Sequence, residues 1–507
     1  MLRLTWVQPE DLLGHELRQA RLDGRQPARI EARWRAAGGP DAPERSGASP
    51  HGVSRYLRLL AEDLLDELAD LPSALSEDEP TDLARVKALC ADWPAAPPSR
   101  TEPASREREP EPGHEHGREQ GIEHGHGHEH GREKGNEHGY GHGREQGDGQ
   151  GHGADRLPAA LEAAWLGRAI GCLLGKPVEK LPLDGIRALA RTAGNWPLTA
   201  YFTARGVPAD LLAAYPWNRR SAATSLAENI DGMPEDDDLD YPLLNLLLLK
   251  RHGKGFTTDD VARLWLDELP PGRAFTAERL ALRNLLAGVE PPHTARHRNP
   301  FREWIGALIR ADVHGWTNPG DPAAAAEQAH RDAVLTHTAN GVYAAMFAAA
   351  VIATAATGTH DVHACLRAGR AVVPPRSRLA AAVDHAVRLA TSTEDFAKVV
   401  DRLHARYAPA HHWVHAVPNT ALIAAALTHA DGDFAGSVCR VVSGGWDTDS
   451  NGATAGSVAG LLAGTPDALD DRWRAPLKNR LASTVADFDG TGFDTLARLT
   501  HLEATRS

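Results

Sequence analysis

AAWLGRAIGCLLGKPVEK, residues 163–180, is apolar from Ala163 to Leu174 apart from Arg168, and sets Gly167, Gly171 and Gly175 at every fourth position. At 3.6 residues per turn this spacing leaves one face of a helix without side chains, so a second backbone can approach it closely. Close packing explains the pattern on its own, and G-x-x-x-G spacing is weak evidence for anything further. The same economy recurs in ALIAAALTHA from Ala421 and in GATAGSVAGLLAG from Gly452. Helix-length apolar patterns, separated by Gly, Pro and Asp clusters, run from Leu157 to about Arg498. No series of alternating Val and Ile segments interrupts them, which predicts an all-α bundle of many short helices rather than an α/β sheet.

Around that body the 507-residue chain divides by composition. Residues 1–98 carry helical patterns, notably SRYLRLLAEDLLDELADL from Ser54, where Leu57, Leu60, Ala61, Leu64, Leu65 and Leu68 repeat at three and four. They predict a small helical N-terminal domain that packs or recognises a partner and holds no catalytic constellation. Residues 99–154 turn Pro-rich and then low in complexity, with nine histidines from His114 to His152 and almost nothing apolar to bury. That segment reads as a disordered linker, able to gather a transition metal only weakly. Residues 155–507 are the main folded domain.

The balance of 55 Lys and Arg against 68 Asp and Glu, a net charge of -13, argues against a general nucleic-acid surface. Four widely spaced cysteines, Cys90, Cys172, Cys365 and Cys439, form neither a disulfide framework nor a zinc ribbon. Charged residues from Arg3 onward break any signal-peptide core, so a cytoplasmic protein is expected. The apolar runs from Tyr343 and Ser457 fall short of the roughly 20 residues a membrane helix needs. No membrane partner is expected.

Two acidic clusters carry the candidate chemistry. In MPEDDDLDYPLLNLLLLKRHG, Glu235, Asp236, Asp237 and Asp238 stand before an apolar helix. Pro242 is tolerated in the first turn only, which predicts a helix start near Asp240. Capping the helix explains one or two of these acids, not four. In SGGWDTDSNGATAGSVAGLLAG, Asp447, Thr448, Asp449 and Ser450 follow the Gly444-Gly445 turn. Carboxylates at alternate positions plus hydroxyls are hard oxygen donors suited to Mg²⁺, while an Asx-turn with an N-cap is the rival account. Two such helix starts in one helical domain point to a joint metal centre. Glu179, in the loop beyond Gly175, is by default a surface acid.

At these three points the sequence resembles the ADP-ribosylglycohydrolase family, also called the dinitrogenase reductase-activating glycohydrolase family. The likeness rests on the glycine-patterned helix ending in a loop Glu, the acidic helix start and the late D-x-D-[ST] motif, in that order. It implies a compact all-α domain holding two Mg²⁺, or sometimes Mn²⁺, at the bottom of a cleft for ADP-ribose. By the same likeness Glu235, Asp236 and Asp237 fall on the family's T-D-D, and Asp447, Asp449 and Ser450 on its D-x-D-T, as metal ligands. Glu179 falls on the loop Glu beside the scissile bond, with Glu179 or Asp447 as the catalytic carboxylate. Glu235 stands where Thr is usual and Ser450 where Thr is usual; a shift of register by one would bring in Asp238.

The segment from Asn299 to Ala350 resembles the stretch that contacts substrate. There His337 matches the family's Ser/Thr-His motif, and Glu303, Trp304, Ile305 and Gly306 stand where others have a glycine-rich loop before an Arg, here Arg310. Glu303, Trp304, Gly306 and His337 are accordingly the expected substrate contacts; a buried aromatic anchor and a satisfied core histidine are the alternatives for Trp304 and His337. The implied activity is Mg²⁺-dependent hydrolysis of the N- or O-glycosidic bond of ADP-ribosylated side chains or small ADP-ribosyl compounds. A non-catalytic ADP-ribose-binding module and a dinuclear hydrolase of phosphoesters are the alternatives.

Overall fold

The computed structural model describes residues 7–43, 46, 47, 49, 52–95 and 153–506; among these it contains 22 α-helices, short 3-10 turns and no β-strand. Two isolated bridges, Met233 with Leu481 and Trp304 with His415, are the extended pairings. The all-α expectation therefore holds. Residues 99–152 of the expected linker lie outside the described residues, and Gly153 and Ala154 already belong to the first helix of the body.

The centre is an antiparallel pair, Gly153–Gly175 against Thr448–Ala463. A Cβ added at Gly167 would overlap the Gly456 carbonyl, at Gly171 the Gly452 carbonyl, and at Gly175 the Thr448 carbonyl; at Gly460 it would overlap that of Ala163. The bare face read from Gly167, Gly171 and Gly175 thus meets a second bare face, and the two backbones touch. Helices Ala339–Ala355 and Ala416–His429, buried almost throughout, pack around this pair. Ala is the commonest residue in both, and its small side chain allows close interaxial distances.

Arg156–Val178 is long and apolar enough to cross a membrane, which corrects the expectation that every apolar stretch is too short; 78% of its apolar window is nevertheless buried inside the protein. Its hydrophobicity is used up in the core. The four cysteines are free and buried.

The helix that follows the first acidic cluster differs from its expected start. It runs Asp237–His252, with Asp236 as N-cap and Pro242 inside it. Pro242 lacks the N–H that would bond the Asp238 carbonyl, and the buried Arg168 replaces it, donating from Nε to Asp238 O at 2.7 Å. The same guanidinium donates to Asp312 Oδ2 at 2.9 Å and to the Ile309 carbonyl. One side chain of the glycine-patterned helix therefore lets the helix begin three residues early, with Asp236 as its cap and Asp237 and Asp238 in its first turn.

The N-terminal helices Pro9–Leu22, Ala28–Ala36 and Arg55–Ala69 form one unit with the body. Ser54 caps the third, accepting from Leu57 N at 3.3 Å, and Ala61, Leu64, Leu65 and Leu68 are its buried face, as the periodicity predicts.

Candidate metal and active site

The glycine contact fixes what lies at its end. Where Gly153–Gly175 stops, Thr448–Ala463 begins, and Thr448 Oγ1 donates to the Gly175 carbonyl at 2.8 Å. This satisfies one of the carbonyls a helix leaves orphaned at its C-terminus. A single 3-10 turn, Lys176–Val178, then delivers Glu179 beside Asp447 and Asp449. One oxygen from each of these three carboxylates lies within 4.8 Å of the others.

Asp447 is the N-cap residue of its helix, yet its side chain makes no capping hydrogen bond. The capping account therefore fails for this carboxylate. Its backbone N–H is held by Asn419 Oδ1 at 3.2 Å, which also accepts from Asn451 Nδ2 at 2.6 Å. The preceding Trp446 sits at φ +59°, an unfavourable region for a bulky residue. Stacking on His404, with ring centroids 4.2 Å apart, holds it there. The sharp turn aims Asp447 into the cleft instead of along the helix.

Asp236 does cap its helix, accepting from Asp238 N at 3.0 Å, and it forms an ion pair with the buried Lys176. Burial pushes the Asp236 carboxyl up, but Lys176 outweighs this and holds it below the ordinary range. Asp237 has no such cation. Burial, then the charges of Asp236, Asp449 and Glu179, push it well above the ordinary carboxylate value. Asp447 is raised in the same way by burial, Asp449 and Glu179, and Asp449 is pushed up to about 8 by burial, Glu179 and Asp236. The two acidic turns meet at one cavity, which Asp236, Asp237, Asp447 and Asp449 all line. Asp238 faces Arg168 at 3.7 Å and, with Cys172 and Asp236, forms a second close group of potential ligand atoms.

Glu179 is partly exposed. Asn218 Nδ2 donates to its Oε2 at 2.6 Å and Lys180 pairs with Oε1 at 2.7 Å. Lys176, Glu179, Asp237, Asp447, Asp449 and Ser450 all line one cavity of about 720 Å³. Such a volume suits a nucleotide-sized ligand. Hard oxygen donors, charge left unneutralised among buried acids and an open face fit one or more divalent cations. Asp447 and Asp449 belong to the close group that could hold one, and Asp237 and Ser450 line the same cavity.

Other sequence candidates sit differently. Glu235 also lines the cavity, but its carboxylate accepts from Arg273 Nη1 at 2.8 Å. An exposed cation thus takes up the charge that stands in place of the usual Thr. Gly306 lines the cleft, and a Cβ there would overlap the Glu278 carboxylate.

Glu303, Trp304 and His337 do not line this cavity. The Glu303 carboxylate is consumed by Arg378 at 2.8 Å, Asn340 at 3.0 Å and Gln19 at 2.7 Å. Burial raises its pKa, but Arg378 and His415 more than offset this and hold it well below the carboxylate range. Trp304 is buried against His412 and Phe301. His337 is buried too, its Nδ1 bonded to Thr336 Oγ1 at 2.6 Å. The cleft also contains Lys176, Asn218, Glu278 and Trp413, which sequence reasoning missed. Lys176 had a legible signal, a lone cation one turn from Glu179; the others come from distant segments and had none.

The family model described as ADP-ribosylglycohydrolase matches residues 154–506. Among solved structures the chain is similar to one titled "ADP-ribosylglycohydrolase-related protein complex", at 20% identity and a TM-score of 0.45, covering 69% of this chain and 100% of that one. Among curated proteins none matches. The family match takes in the glycine-paired helices and both acidic turns, and over that span this chain belongs to the ADP-ribosylglycohydrolase family.

Proposed function

We propose that the cleft hydrolyses the glycosidic bond joining ADP-ribose to a protein side chain or a small acceptor, with divalent-cation dependence. The observation that carries this reading is the convergence of Glu179, Asp447 and Asp449 in a nucleotide-sized cavity, two of the three with carboxyls raised by burial and then by neighbouring carboxylates. A divalent cation held there supplies a positive charge that offsets the carboxylates, orients ribose hydroxyls and favours ionisation of a nearby water.

Cleaving the anomeric C–N or C–O bond develops positive charge on the ribose ring. Buried carboxylates aimed at that ring stabilise it, and they cost no reorganisation because Asn419 and the Trp446 turn already fix Asp447. Glu179 is placed to accept the proton of the attacking water as the bond to the acceptor breaks. Asn218 and Lys180 hold its two oxygens from the sides, so the carboxylate enters the reaction in one orientation.

The test is a panel of ADP-ribosylated acceptors with Mg²⁺, Mn²⁺ or chelator, resolving products by chromatography. Release of free ADP-ribose with a divalent ion supports the reading. AMP as product indicates phosphoester cleavage, and tight nucleotide binding with no product indicates a silent binding module. Glu179→Gln keeps the shape and the Asn218 contact but removes the base. Turnover is expected to fall about 10²- to 10³-fold, with cation affinity by calorimetry changing far less; an unchanged rate would remove Glu179 from the chemistry.

A further inference from the structure

We propose that the N-terminal helices, which lie outside the matched family region, are a working part of the cleft and position its wall through His15. Three observations carry this. The first is direct: Ser46 lines the same cavity as Glu179 and Asp449. Ala42 packs on the first helix, where Gly14 lies so close to its backbone that a Cβ there would overlap it.

The second is a stack of rings. Buried His15 on Pro9–Leu22 packs edge-on against Phe301 at 5.2 Å, Trp304 at 5.9 Å and His412 at 6.0 Å between centroids. Trp304 and His412 are themselves stacked at 4.3 Å. The residues that follow each of these rings form the cleft wall: Ile305 and Gly306 after Trp304, Trp413 and Val414 after His412. Ile305 N donates to Val414 O at 3.0 Å, and Ala416 N to Glu303 O at 3.0 Å, tying the two strips together. Burial, then Arg18, lowers the His15 pKa to about 4, so the ring is neutral and acts by packing.

The third is a buried charge interface behind the stack. Glu16 and Asp23 bind Arg302 at 2.7 and 2.6 Å, Gln19 binds Glu303 at 2.7 Å, and Glu79 binds Arg378 at 2.6 Å. Partnered buried ions of this kind are costly to separate, so the first helix is fastened in one register against residues 301–304. Glu303 and Trp304 thus serve as part of the seat for the N-terminal helix, and Ile305, Gly306, Trp413 and Val414 beyond them face the cavity.

His15 is a positioning residue, and the inference rests on the cleft being the ligand site. The test uses the full chain. His15→Ala is expected to speed amide hydrogen exchange over 301–306 and 412–416 by tenfold or more while leaving the Gly153–Gly175 helix protected. KM for an ADP-ribosyl substrate should rise at least fivefold with kcat within twofold, and His15→Phe, which restores a ring, should recover most of both effects. Ser46→Trp, a change at the cavity rim, should raise KM with no change in melting temperature. Unchanged exchange at both strips in His15→Ala overturns the proposal. If the wild-type chain releases no ADP-ribose, the proposed reaction fails, and the exchange measurement alone still decides whether the N-terminal helix holds the wall.

Discussion

Asp447→Asn combined with Asp449→Asn is expected to cut hydrolysis by about 10³-fold or more while making the cation-free protein more stable. The two effects have one cause. Both carboxyls are buried beside Glu179 and each other, and Asp449 is raised from 3.8 to about 8. A carboxyl whose folded-state pKa lies above its unfolded value makes the native state bind the extra proton, so native stability falls as pH rises between those two values. For Asp449 the window runs from 3.8 to about 8, and the penalty is complete above it.

Asparagine cannot ionise, so the double variant should lose this slope. At pH 8 and in chelator its melting temperature should exceed that of the parent by about 2–5 °C, and the gap should close as pH falls toward 4. Adding Mg²⁺ should raise the parent's melting temperature and leave the variant's unchanged, because the ion stabilises only the chain that binds it. Calorimetric scans across pH, with and without the ion, measure all three. Full hydrolysis by the double variant in chelator would exclude the carboxylate centre.

The second large effect is structural. Gly171→Val should unfold the protein or cost well over about 3 kcal/mol, since overpacking a tight core normally costs about 1–3 and here the added carbons meet a backbone carbonyl that cannot rotate away. Gly452 faces Gly171 in the same way, so a valine at either position forces the two helices apart. Separation would also move Glu179 from Asp449, because the Thr448 bond to Gly175 is the fixed point between them. Gly255→Ala is the control: its Cβ would meet nothing within 4 Å and its φ is not in the left-handed region, so urea midpoints should differ little from the parent. Parent-like stability in Gly171→Val would show that the helix contact is looser than described.

Gly167, Gly171 and Gly175, with the Ala-rich runs, suffice to predict closely packed helices, because a missing side chain has one main use on a helix face. The acidic turns were legible for a similar reason: four adjacent carboxylates exceed what capping consumes, and Asp447 indeed makes no capping bond. What sequence could not decide is how each polar side chain is spent. Glu303 gives its oxygens to Arg378, Asn340 and Gln19, and Glu235 gives one of its own to Arg273, partners that the local sequence does not name. The helix start at Asp237 depended on Arg168 supplying the donor that Pro242 lacks. Backbone spacing and charge density are local properties, written in neighbouring residues. The pairing of a carboxylate with its cation is settled among groups tens to hundreds of positions apart, where burial makes each partner's identity decisive.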